Sequence, residues 1–60
     1  MKQVEIRQVK KGDLFRFTPT GNLFVRGDYE RSEKKFSYYA YDDVNHEGFA
    51  RGTRKVFVED

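Results

Sequence analysis

The chain has no cysteine and no tryptophan, and only one proline, one histidine and one methionine among 60 residues. Without cysteine it forms neither disulfides nor thiolate metal sites. It also lacks an apolar run of signal-peptide or membrane-spanning length, and its start, "MKQVEIRQVKKGD", is mostly polar. The expectation is a cytoplasmic protein, complete from Met1, that does not associate with membranes. Its net charge is small as well. Twelve Lys and Arg stand against ten Asp and Glu, for a net charge of +2. That is a mild bias toward anionic partners and no nucleic-acid footprint by itself.

What the chain does have is aromatic: six Phe and four Tyr. A chain this short buries only roughly 60% of its unfolded surface. Large rings build a core from few positions, and self-association is the other support open to a small scaffold without disulfides. One domain spans residues 1–60, with no repeat and no linker.

No window carries a helical apolar stripe over three turns. The runs are short and alternate, which is the pattern of half-buried strands. Strands are predicted near 4–9, 13–18, 23–30, 35–42 and 53–58. The turns between them are "KKGD" (10–13), with Gly12 available for positive φ, and "TPTGN" (18–22), with a left-handed residue at Gly21 or Asn22. They continue with "RSEK" (31–34) and a longer excursion, "DDVNHEG" (42–48). The segment 43–49 is expected to hold one 3₁₀ turn capped by Asp43.

If 31–34 is a loop, Glu30 faces Lys35, Tyr29 faces Phe36, Gly27 faces Tyr38 and Val25 faces Ala40. If 18–22 is a loop, Phe17 faces Leu23 and Phe15 faces Val25. Both registers place Phe15, Phe17, Leu23, Val25, Tyr29, Phe36, Tyr38 and Ala40 on one face, joined by Val56 and Val58. Leu14, Arg16, Phe24, Arg26, Asp28, Glu30, Ser37, Tyr39 and Tyr41 fall on the other. The predicted fold is all-β: a small antiparallel five-stranded SH3-like barrel or strongly bent sheet, with the 3₁₀ turn before the last strand.

Arg26-Gly27-Asp28 spells a cell-adhesion tripeptide. Alternation places it mid-strand, with Gly27 under the Tyr38 ring, so integrin-type adhesion is not expected. Asp42, Asp43, His46 and Glu47 are metal-ligand types crowded into one loop with no further histidine, and they read as a solvated turn. One His, no Cys and no phosphate-binding glycine loop leave no catalytic constellation. No enzyme activity, cofactor or metal is expected.

The functional candidate is the Arg/aromatic face: Arg16, Phe24, Arg26, Tyr39 and Tyr41, flanked by Arg51, Arg54 and Lys55. The leading expectation is contact with protein, self-association included. The alternative is single-stranded nucleic acid, whose bases stack on rings and whose phosphates meet arginine. Asp28 and Glu30 count against it.

The order "KKGDLFRF", "VRGDYERSEKKFSYYAYDDVNHEGF" and "RGTRKVFV" resembles short uncharacterised proteins of phages and prophage-like regions of bacterial genomes. The resemblance covers nearly the whole chain. It implies bacterial or phage origin, a cytoplasmic setting and an accessory or regulatory role. It brings no catalytic residue and no ligand.

Overall fold

A computed structural model describes residues 1–59. It is all-β, with six strands in two antiparallel sheets and one 3₁₀ turn. Strands β1 (Lys2–Glu5) and β6 (Lys55–Val58) pair as one sheet, with Val4 opposite Val56. The second sheet has the order β2 (Leu14–Phe15), β3 (Phe24–Glu30), β4 (Lys35–Ala40), β5 (Asp43–Arg51). The chain passes from this sheet to the first at Arg16, whose backbone exchanges both hydrogen bonds with Phe57, at 2.9 and 2.7 Å. β5 is an edge, so the sheet does not close.

The 3₁₀ turn follows β1 and does not precede the last strand. It spans Ile6–Gln8, where the Glu5 N–H donates to Gln8 Oε1 at 2.9 Å. Ile6 then donates to the Arg54 carbonyl at 2.8 Å and Arg7 to that of Gly52 at 3.2 Å. These bonds tie the turn to the corner between β5 and β6 and drive the Ile6 side chain fully inside. The segment expected as a long loop, 42–48, is mostly strand. It turns at Tyr41 and Asp42 and returns as β5, with Ala40 opposite Asp43. Asp43 Oδ1 caps only its own neighbourhood, accepting from the Asn45 N–H at 3.1 Å.

The core is Ile6, Val9, Phe15 and Val56, and Phe17, Phe24, Phe36, Tyr38 and Val58 pack against it. Phe15, Phe17, Phe24 and Tyr38 form a tetrad in which every pair of ring centroids lies between 5.0 and 6.2 Å. Most of these pairs meet edge to face, the arrangement that ring quadrupoles favour.

Two registers differ from expectation, and one cause links them. Tyr29 opposite Phe36 and Glu30 opposite Lys35 are as predicted. Beyond them a β-bulge sets Gly27 and Asp28 against Ser37 alone, so Arg26 faces Tyr38, Val25 faces Tyr39 and Phe24 faces Ala40. One extra residue inverts the strand's phase, and Phe24 turns inward. On the other side Leu14 faces Val25 and Phe15 faces Phe24. Gly27 is therefore not the glycine beneath Tyr38. That place belongs to Gly48, where a Cβ would lie 2.7 Å from the Tyr38 hydroxyl.

Gly12 has φ +89°, as its turn requires. The second left-handed residue is Lys34, at φ 55°, and not Gly21 or Asn22. A left-handed residue with a Cβ costs roughly 1–2 kcal/mol, partly offset in glycine by its freer unfolded chain. Lys34→Gly is therefore expected to stabilise the fold by about 0.5–1 kcal/mol, read as a higher urea midpoint at unchanged slope.

Candidate interaction site

The residues expected to form one face are distributed over several. Arg16 is part-buried, with Nε donating to the Gly21 carbonyl at 3.0 Å and an Nη 3.4 Å from Glu59 Oε1. Phe24 belongs to the tetrad. Arg26 lays its guanidinium 4.2 Å from the centre of the Phe36 ring, and its Nε is buried without a hydrogen-bond partner among the described residues. Tyr39 is half-buried between Val25 and Glu47, while Tyr41 is exposed beyond the end of β4. Arg54 covers Phe17 at 4.9 Å, and Lys55 is exposed opposite Glu5. The bulge explains Phe24 and Arg26: both moved to the inner side when the strand changed phase.

The adhesion-like tripeptide is this bulge. Ser37 Oγ donates to the Asp28 carbonyl at 3.0 Å. The Asp28 carboxylate pairs with Lys11. The hydrogen bond from Lys11, then its charge, hold the Asp28 carboxyl below the usual carboxylate range. Arg26 and Asp28 thus contact Phe36 and Lys11 of their own chain. Among the described residues Asp42, Asp43, His46 and Glu47 form no group that could hold a metal ion, and the His46 ring lies 6.0 Å from that of Phe24.

One edge of the four-stranded sheet lies along β5. Its first half is irregular, because Ala40 faces Asp43 and Tyr39 faces Glu47, leaving 44–46 without partners on β4. From Glu47 to Arg51 the pairing with β4 is regular. The direction of its backbone groups follows from neighbouring bonds. Arg26 N–H donates to the Asp13 carbonyl and Arg26 C=O accepts from Gly12 N–H, so both point away from β4. Alternation then aims the groups of Tyr38 at Gly48, and those of Glu47, Phe49 and Arg51 outward. The Arg51 carbonyl is used by the Arg54 N–H at 2.9 Å. Phe49 is 54% exposed on this edge, between the exposed Glu47 and Arg51.

Beside the edge is an open cleft of about 470 Å³, lined by Lys35, Arg51, Arg54, Tyr38 and Phe49, with no carboxylate in its wall. Lys35 and Arg51 stand directly opposite each other, a like-charge pairing that is unfavourable in a sheet. Among the described residues no ion pair reaches these three cations. Sequence reasoning reached Arg51 and Arg54 as flanks but missed Phe49, Glu47 and Lys35. The signal was the alternation Glu47, Phe49, Arg51, hidden at the end of a polar stretch read as a turn.

The chain matches no family model, no curated protein and no solved structure.

Proposed function

We propose that the protein is a non-enzymatic binding module that contacts protein through the β5 edge. One observation carries this: a regular five-residue edge whose outward backbone groups flank an exposed Phe49. Unpaired strand edges add a strand from a partner, with backbone hydrogen bonds supplying affinity and alternate side chains supplying specificity. The proposal replaces the Arg/aromatic face by the edge, because Phe24 and Arg26 turn inward. It includes an incompletely closed SH3-like wrap, supported by the two sheets joined at Arg16 and Phe57. The phage-type origin and accessory role rest on the sequence resemblance alone, and the cytoplasmic setting on it and on the sequence's lack of a signal-peptide-like run.

The acid-free cleft favours a second reading, in which Lys35, Arg51 and Arg54 hold the phosphates of a single strand and Phe49 stacks a base. Amide NMR separates the two. Edge contact predicts shifts confined to the amides of 47–51, on titration with extended peptides or with the chain itself, and less changed by salt than oligonucleotide binding is. Strand binding predicts shifts around the three cations with an oligonucleotide, and affinity falling steeply with salt. If neither peptide nor concentration moves the amides of 47–51, the edge reading fails.

A further inference from the structure

We infer that the partner at this edge is β5 of a second copy, antiparallel about a two-fold axis through Phe49. This rests on the edge reading above and names its occupant. Pairing about an axis normal to the sheet keeps each side chain on its own face, so residues opposite one another share parity. Within the regular segment the axis has few places to sit. Centred on Glu47, it opposes two carboxylates directly. Centred on Gly48, it opposes Glu47 to Phe49 and carries Arg51 to the irregular half of the strand. Centred on Ala50, it runs past the strand end at Gly52, whose carbonyl already accepts from Arg7.

Centred on Phe49, every position is complementary. Phe49 meets Phe49, Gly48 meets Ala50 beside the ring of Tyr38, and Glu47 meets Arg51 twice by symmetry. Ring pairs and opposite charges are the favourable cross-strand combinations. The backbone agrees with this register. Each Phe49 N–H meets the other copy's Phe49 carbonyl, and each Arg51 N–H meets a Glu47 carbonyl. The pairing stops where the Arg51 carbonyl is taken by Arg54. Arg51, which faces Lys35 in its own copy, then gains a carboxylate from the other. Five residues a side make a small contact, and association is correspondingly weak.

The test is sedimentation from about 10 µM to about 1 mM, the range of weak affinities, with circular dichroism checking the fold. The wild-type chain is expected to move from monomer toward dimer. Glu47→Lys and Arg51→Glu each place like charges opposite one another, and each is expected to weaken association by about tenfold or more. Mixed in equal amounts they restore both pairs, because the lysine introduced in one variant meets the glutamate introduced in the other, and the remaining Arg51 meets the remaining Glu47. The mixture is therefore expected to dimerise. A wild-type chain that stays monomeric to 1 mM overturns self-pairing and leaves the edge reading to its peptide titration. A dimer indifferent to both charge reversals, or a mixture that stays monomeric, overturns the Phe49-centred register.

Discussion

Phe15→Ala is expected to leave the chain unfolded at 25 °C. Phe15 is 1% exposed and touches each other ring of the tetrad. Truncating a buried phenylalanine costs roughly 3–5 kcal/mol, through lost transfer energy and the cavity left behind. A chain of this size has a core worth roughly 3–5 kcal/mol in total, so the substitution consumes the whole margin. Phe15→Leu keeps most of the volume and loses the edge-to-face contacts. It is expected to fold with a clearly lowered urea midpoint. Phe49→Ala is the control, since its ring is half in solvent, and it is expected to cost less than about 1 kcal/mol. Far-ultraviolet dichroism with urea titration of the three variants checks the ordering. A cooperative Phe15→Ala transition near the wild-type midpoint sinks the claim that the tetrad holds the fold.

The same tetrad shows how far the sequence could be read. Alternation located β3 and β4 within two residues, and the loop 31–34 fixed Tyr29 opposite Phe36 because a hairpin loop sets the register next to it. Three residues further on, at Arg26, the register had slipped. Phe24 and Val25 are both apolar, so either phase of β3 gave a plausible face, and the second hairpin agreed only because it was anchored on the same phase. Gly27 inside a strand was the available warning, since glycine there often marks a bulge.

β5 was obscured for a different reason. An edge strand exposed on most of its length need not alternate, and "DVNHEGFAR" carries turn-forming residues in its first half. What marks it as strand is tertiary: Tyr38 covers Gly48, and regular pairing with β4 holds the rest. Its exposure also makes it the candidate site, so the property that hid the strand is the one that suits it to a partner.

The second large effect is expected at Gly27. A Cβ there would run into Ser37 Oγ and approach the Ser37 carbonyl oxygen to 3.3 Å. The φ of Gly27 is not positive, so the penalty is steric and local to Ser37. Overpacking costs roughly 1–3 kcal/mol, reduced by about 0.4–1 kcal/mol because alanine has fewer unfolded states to lose. Gly27→Ala is expected to destabilise by about 1–2 kcal/mol. Ser37→Ala alone gives up the hydroxyl bond to the Asp28 carbonyl, about 1 kcal/mol. In the double variant the nearest obstacle has gone and only the carbonyl contact remains. The double variant is therefore expected to be less destabilised than the sum of the singles, by about 1 kcal/mol in the mutant cycle. Additive losses would mean that something other than Ser37 Oγ excludes a side chain from the bulge. A coupling of the expected sign assigns the glycine of Arg-Gly-Asp to the serine facing it across the sheet, and makes the tripeptide a consequence of strand geometry.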